Sequence, residues 1–112
     1  MTIRHCLALD LKDDPTLIAE YKRFHSPEGI WPEIIDSVKG VGIDALDIYL
    51  VGNRLFMIMD VNNSFSFSAK EKADLNNEKV VAWETLMSTF QQKLPWASAN
   101  DKWLLMENIF TL

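Results

Sequence analysis

The segment from residue 43 to residue 61, IDALDIYLVGNRLFMIMDV, decides the fold of this chain. Ile43 to Val51 and Arg54 to Val61 are rich in the β-branched and large apolar residues that favour strands. Between them stands Gly52-Asn53, a pair suited to the positive φ angles of a two-residue turn. The sequence therefore predicts a β-hairpin with its turn at these two residues.

Both faces of this hairpin carry large apolar side chains. Alternation along the strands puts one set on one face, namely Ile48, Leu50, Leu55, Met57 and Met59. The opposite face carries Tyr49, Phe56 and Ile58, together with Asp47 and Asp60. Helices can cover only one of these faces, and an exposed apolar patch usually marks an interface. We therefore expect the second face to form a two-fold dimer, sheet against sheet.

The sequence before the hairpin predicts a strand and two helices. Thr2 to Leu11 alternates in the manner of a strand. A first helix should begin at Pro15, behind Asp14 as N-cap, and end near Pro27. A second should start at Pro32 and meet Gly40 at the position of a left-handed C-cap.

The sequence after the hairpin predicts two more helices and a last strand. Ser68 and Glu71 have the form of a capping box for a short helix, and Asn76 or Asn77 should start a longer one. The buried stripe of that longer helix should be Val80, Trp83, Met87, Phe90 and Leu94. After Pro95, Lys102 to Leu112 should form a strand.

The main elements follow one another as strand, helix, strand, strand, helix, strand. This is the ferredoxin-like pattern, an α+β architecture in which an antiparallel sheet has its main helices on one face. A length of 112 residues is near the commonest size of a single compact domain, so we expect one domain over residues 1–112.

Charge and cysteine content exclude several classes of protein. The net charge is -5 and the basic residues are scattered, which argues against nucleic acid and anionic membranes as partners. Cys6 is the single cysteine, so no intramolecular disulfide can form, and a reducing compartment is favoured. Without a long apolar run or a secretory signal, the expected location is the cytoplasm.

Tyr21 and His25 form the best candidate constellation for chemistry. Four residues apart on the first helix, they lie on one face, which Ile18 and Phe24 turn inward. Imidazole can both give and take a proton near neutral pH, so His25 is the candidate acid or base, although the pattern alone also fits a hydrogen-bonded structural pair. His5, without a helical partner, is a weaker candidate. Two histidines without a cysteine or carboxylate at ligand spacing do not indicate a metal site.

The common catalytic motifs are absent from the sequence. It contains no Gly-rich phosphate loop, nucleophile elbow or histidines paired at i, i+4, which removes the commoner nucleotide, acyl-transfer and zinc-hydrolase functions. Tryptophans remain, which can pack on the apolar face of a sugar ring or simply fill the core. They are Trp31, Trp83, Trp96 and Trp103.

The segment Tyr21-Lys22-Arg23-Phe24-His25, followed by Ile30-Trp31-Pro32-Glu33, resembles the L-rhamnose mutarotase family, whose relatives include L-fucose mutarotases. Further similar segments are Ile48-Tyr49-Leu50, Leu55-Phe56, Trp83 with Met87, and Glu107-Asn108-Ile109-Phe110. The resemblance implies a dimeric ferredoxin-like α/β barrel that interconverts the α and β anomers of a 6-deoxy-hexose without a cofactor. It also implies that His25 is the proton donor and that Tyr21 and Trp83 contact the sugar.

Three departures from the family pattern concern the substrate. Five residues, 26–30, separate His25 from Trp-Pro-Glu, where family members commonly have three. Leu46 stands at or near a sugar-contacting tyrosine, and Glu84 replaces the second tryptophan of a pair. We expect Tyr21, Trp31, Leu46 and Trp83 to bind the substrate, with L-fucose as an alternative to L-rhamnose, and the general base stays unassigned.

Two other functions fit the same architecture. One is a non-catalytic dimeric α/β barrel that binds a small metabolite or supports another protein. The other is a cofactor-free oxygenase that uses the cleft for an aromatic substrate. Fold alone does not separate these functions from a mutarotase.

Overall fold

The structure is a computed structural model that describes residues 2–112. Its strands are β1 (Ile3–Leu11), β2 (Ile43–Val51), β3 (Arg54–Val61), β4 (Gln91–Gln92) and β5 (Leu104–Leu105). Its helices are α1 (Pro15–Phe24), α2 (Pro32–Gly40), α3 (Phe67–Leu75) and α4 (Glu78–Ser88).

The strands form an antiparallel sheet in the order β2-β3-β1-β4, and β5 also pairs with β1. β1 lies beside β3 along nearly its whole length, from Ile3 opposite Val61 to Asp10 opposite Arg54. β4 and β5 pair with different parts of the other edge of β1. This order, with helices in the connections, confirms the predicted α+β, ferredoxin-like architecture.

The hairpin forms where the sequence predicts it. β2 and β3 have the expected bounds, and Val51 lies opposite Arg54 across the turn. Gly52 has a φ of 59°, while no non-glycine residue in the range 2–112 has a positive φ. Positive φ at the first central residue alone is the pattern of a type II′ turn, which matches the twist of the two strands.

The helix ends differ in part from the predictions. Asp14 caps α1 as expected and accepts hydrogen bonds from the backbone N–H groups of Thr16 and Leu17. The left-handed residue after α2 is Gly42, with a φ of 93°, so the prediction of Gly40 was wrong. A Cβ at Gly42 would also stand 2.6 Å from Oγ of Ser64, so that side chain would have to shift.

The cap of α3 differs from the prediction, whereas the cap of α4 agrees with it. Ser66, and not Ser68, caps α3 by accepting a hydrogen bond from the N–H of Ala69. Ser66 has the extended backbone that an N-cap requires, whereas Ser68 already lies inside the helix. Asn77 caps α4, one of the two starts predicted for it.

The predicted last strand, Lys102 to Leu112, was mostly wrong. Only Leu104 and Leu105 pair with β1, and the N–H of Met106 makes the last backbone bond to it, to Cys6. Beyond that point the chain lacks a neighbouring strand, and a strand needs one to satisfy its backbone groups. Ile109 and Phe110 are consequently 87% and 75% exposed.

The core lies between the helices and one face of the sheet. Leu55 and Met59 from β3 are each 2% exposed there. All members of the predicted apolar stripe are buried: Val80, Trp83, Met87, Phe90 and Leu94. The helix itself ends at Ser88, so the prediction that it also carries Phe90 and Leu94 was wrong. No helix within residues 2–112 is both long and apolar enough to cross a membrane.

Candidate active site

Helix α1 carries Tyr21 and His25 to the edge of the core. One turn apart, their rings stack with centroids 4.3 Å from each other. Tyr21 is 4% exposed and packs edge-on to Phe90, while His25 sits at the C-cap of α1 and is partly buried. The inward-facing pair predicted from the sequence spacing is therefore confirmed.

A hydrogen bond to the backbone fixes the chemical state of the His25 ring. Nδ1 lies 2.7 Å from the carbonyl oxygen of Tyr21. A carbonyl only accepts, so Nδ1 carries the proton, and in the neutral ring Nε2 is an acceptor. Burial lowers the pKa of His25, against a smaller rise from the Tyr21 carbonyl and the negative charge of Glu84.

The phenol of Tyr21 is held as a neutral donor. Its Oη accepts a hydrogen bond of 3.3 Å from Nε2 of Gln91, which belongs to β4. Burial raises the pKa of Tyr21 to about 12, partly offset by the Gln91 hydrogen bond, and the charge of Glu84 acts in the same direction as burial. Sequence analysis missed Gln91, because nothing local marks β4 as a strand.

Trp83 packs against the imidazole from the side of α4. The Trp83 and His25 rings meet edge to face with centroids 5.5 Å apart, and Trp31 packs against Trp83 at 5.1 Å. Such edge-to-face contacts are favourable between aromatic rings and fix their orientation. Trp83 itself is 5% exposed, so the indole is a rigid part of the wall around His25.

A cleft of about 870 Å³ opens beside this pair, between α2, α3, α4 and the sheet. Two further predicted residues meet there, since Leu46 and Trp83 line it together with Tyr21 and His25. Its apolar floor comes from strand residues such as Met57 and Met59. The cleft is thus an apolar cavity with a few polar groups converging on it, which is typical of small-molecule sites.

Two of the sequence candidates lie elsewhere. Trp31 stands behind Trp83 and does not line the cleft of the single chain. His5 packs on Phe67 with ring centroids 4.9 Å apart and is also absent from the lining. No three His, Cys, Asp or Glu side chains within residues 2–112 come together in a way that could hold a metal ion.

Comparison with known proteins assigns the family. A family model described as L-rhamnose mutarotase matches residues 4–112. The chain belongs to the L-rhamnose mutarotase family. An L-fucose mutarotase of Xanthomonas campestris pv. campestris is 41% identical over 97% of this chain and 87% of its own length.

Two more distant proteins extend the L-rhamnose mutarotase comparison. A UPF0734 protein of Dictyostelium discoideum is 32% identical over 94% of this chain and 86% of its own. The crystal structure of an L-rhamnose mutarotase from Formosa agariphila superposes with a TM-score of 0.70 at 23% identity, covering 98% of each chain. At that identity the likeness concerns the fold, and it supports the ferredoxin-like architecture.

Membership in the L-rhamnose mutarotase family decides between the functions that the sequence left open. The family and its curated L-fucose relative are sugar isomerases. They favour a mutarotase over a non-catalytic barrel and over a cofactor-free oxygenase, neither of which has support in these comparisons.

Proposed function

We propose that this chain interconverts the α and β anomers of a 6-deoxy-hexose, L-rhamnose or L-fucose, with His25 as the proton donor. The observation that carries the proposal is the His25–Tyr21 pair, since Nδ1 is held by a backbone carbonyl and Nε2 is left for chemistry beside a cleft. The family match and the 41% identical L-fucose mutarotase support it.

Mutarotation requires one acid and one base. The acid protonates the ring oxygen while the base removes the proton of the anomeric hydroxyl, so the bond between C1 and the ring oxygen breaks and an aldehyde forms. Rotation about C1–C2 and reclosure on the other face of the carbonyl, with both protons returned, give the other anomer. His25 in its protonated form offers the Nε2–H that the first step needs.

The other cleft residues have binding roles in this proposal. Tyr21, kept protonated by its high pKa, donates to a sugar oxygen and holds the imidazole by stacking. Trp83 and Leu46 give the apolar surface for the ring and methyl group of the sugar. Trp31 acts from behind Trp83, so its contribution is to the orientation of that indole.

The proposal includes a homodimer formed through the open face of the sheet, which is the face of Tyr49, Phe56 and Ile58 opposite the helices. Tyr49 and Val51 on β2 are 58% and 66% exposed, and Ile109 and Phe110 in the last segment are more exposed still. Burying such a set against a second copy removes apolar surface from water on both chains at once. A cytoplasmic location is part of the same proposal and fits the free thiol of Cys6.

Saturation-transfer NMR between anomer signals tests the activity directly. We expect the protein to accelerate anomer exchange of L-rhamnose and L-fucose well above the uncatalysed rate, and that of D-glucose much less. Exchange of both deoxy-sugars at the uncatalysed rate, with folded protein in the tube, would overturn the proposal.

A further inference from the structure

We propose that Glu84 is the general base of this site, positioned by Lys102. The inference rests on the proposed mutarotase function and fills the role that His25 leaves open. It also gives a chemical meaning to a carboxylate at a place where the resemblance predicts a second tryptophan.

Helix α4 brings Glu84 into the cleft that holds the proton donor. The preceding residue, Trp83, is the one whose ring lies 5.5 Å from the His25 ring. Glu84 lines the same cleft as His25 and Tyr21, and its side chain is 48% exposed, so a sugar in the cleft can reach it. The acid and the candidate base therefore stand on two different helices that face one cavity.

Lys102 fixes one oxygen of this carboxylate. Its Nζ lies 2.8 Å from Oε2 of Glu84 and 2.9 Å from Oγ of Ser88, one turn further along α4. Across residues 2–112, no hydrogen bond reaches the other oxygen, Oε1. The carboxylate is therefore held in place while keeping an acceptor for a hydroxyl group, as a positioned base requires.

The other carboxylates of the cleft are less suited to the role. Asp44 accepts a hydrogen bond from Asn62, and Asp74 is paired with Lys70. The negative charge of Glu84 raises the pKa of both His25 and Tyr21. Asp44, Asp74 and Glu71 are not among the causes of either pKa shift. Glu84 is the cleft carboxylate that is electrostatically coupled to the catalytic pair.

The protons balance in such a pair. Oε1 of Glu84 takes the proton of the anomeric hydroxyl while Nε2–H of His25 goes to the ring oxygen, and the bond between C1 and the ring oxygen breaks. The open aldehyde then faces a neutral carboxylic acid and a neutral imidazole. Reclosure on the other carbonyl face returns the ring-oxygen proton to His25 and the Glu84 proton to the anomeric oxygen.

The test compares variants of Glu84 in anomer exchange by NMR. Glu84→Gln keeps size and polarity but removes the base, so we expect kcat to fall about a hundredfold with KM within about threefold of the wild-type value. Glu78→Gln, the same change in the first turn of α4 and outside the cleft, is the matched control and should exchange anomers at the wild-type rate.

Two further measurements separate a base from a binding or structural residue. Added formate should restore part of the exchange rate of Glu84→Ala, because a small carboxylate can occupy the vacated space and take the proton. Lys102→Met, which releases Oε2, should lower kcat about fivefold to tenfold, as expected for a positioning residue. Circular dichroism confirms that each variant is folded.

The outcomes are distinct. A higher KM at unchanged kcat in Glu84→Gln, or no formate rescue of a folded Glu84→Ala, would assign Glu84 to hydroxyl binding and overturn the inference. A wild-type protein without activity on either deoxy-sugar would instead remove the mutarotase proposal itself.

Discussion

Both faces of the sheet carry large apolar side chains, but those on one face are buried and several on the other are exposed. On β3, Leu55 is 2% exposed beneath the helices, while its neighbour Phe56 points to the other face, where Tyr49 opposite it is 58% exposed. The covered face is completed by helices of the same chain and holds the cleft. On the open face, by contrast, Tyr49 and Val51 remain exposed in the single chain.

We expect catalysis to depend on the covered face and dimer formation to depend on the open face. The rings of Tyr21 and Trp83 hold His25 through contacts within a single chain. The position of His25 therefore does not depend on association with a second chain. The open face carries a charged pair, Arg4 with Asp60, at its margin and apolar residues nearer its centre. Changes on one face should therefore act on the exchange rate, and changes on the other on the oligomeric state.

The strongest test of this separation is Ile58→Lys on the open face. Ile58 lies between Cys6 and Asp47 in the register of the sheet. An unpaired charge buried in an interface costs about 3–5 kcal/mol, so the dimer should weaken by roughly a hundredfold to several thousandfold. Light scattering at micromolar concentration should give a dimer mass for the wild type and a monomer mass for the variant.

The control for that experiment is Val81→Lys, at an exposed site on α4 that the open face does not include. It should remain a dimer. A monomeric wild type at micromolar concentration, or a dimeric Ile58→Lys, would show that the open face does not form the interface.

His25→Asn is the corresponding change on the covered face. Asparagine keeps polarity but cannot donate a titrating proton, so anomer exchange should fall about a hundredfold or more while the protein stays folded and dimeric. His5→Asn, outside the cleft, is the control. Exchange at the wild-type rate in His25→Asn would transfer the role to another residue, with His5 the first to examine, and unfolding would favour a structural pair.

The pH dependence of kcat/KM sharpens the assignment of His25. With Nδ1 committed to the Tyr21 carbonyl, Nε2 donates only when the ring is protonated, and burial lowers the pKa of that ring below 6.5. Activity should therefore be highest below that pKa and fall about tenfold per pH unit above it. A profile that is flat between pH 5 and pH 8 in the wild type would contradict the donor role.

Tyr21→Phe should have a smaller effect than His25→Asn. It removes one hydrogen bond to the sugar and the acceptor of Gln91, a loss of about 1–2 kcal/mol, which corresponds to roughly tenfold in rate. Tyr49→Phe on the open face gives the matched control and should leave the exchange rate unchanged. If Tyr21→Phe lost as much activity as His25→Asn, the phenol and not the imidazole would be the donor.

The smallest expected difference lies in substrate choice. Leu46 and Glu84 replace aromatic residues that the resemblance places against L-rhamnose, so exchange of L-fucose should equal or exceed that of L-rhamnose. Leu46→Tyr should shift the ratio toward L-rhamnose. Exchange of L-rhamnose faster by about a hundredfold in the wild type would show that these two positions do not control the choice.

Local signals in the sequence predicted much of the fold. The bounds of β2 and β3 followed from alternation and from Gly52-Asn53, and the start of α1 from Asp14 and Pro15. Each of these features depends on residues within a few positions of one another. β4 and β5 form by pairing with an edge of β1 that lies some eighty or more positions earlier in the chain. Local sequence pattern therefore does not determine where β4 lies or where β5 ends.

The candidate site likewise combines local contacts, which the sequence predicts, with long-range contacts, which it does not. His25 and Tyr21 were found because a spacing of four residues places side chains together on any helix. Gln91 meets Tyr21 across 70 positions, and Lys102 meets Glu84 across 18 positions and out of a loop. Those contacts exist only once the sheet has brought β4 and the following segment to the cleft.

The position of β1 in the sheet has a consequence for biosynthesis. β1 leaves the ribosome before its partners β3, β4 and β5, which all come later in the chain. At translation rates of about 5–20 residues per second, β1 waits several seconds for β3 and longer for the others. During that time an apolar strand of nine residues has no partner, whereas β2 and β3 can pair as soon as both emerge. Its unpaired edge is thus the part of the nascent protein that most needs protection from aggregation.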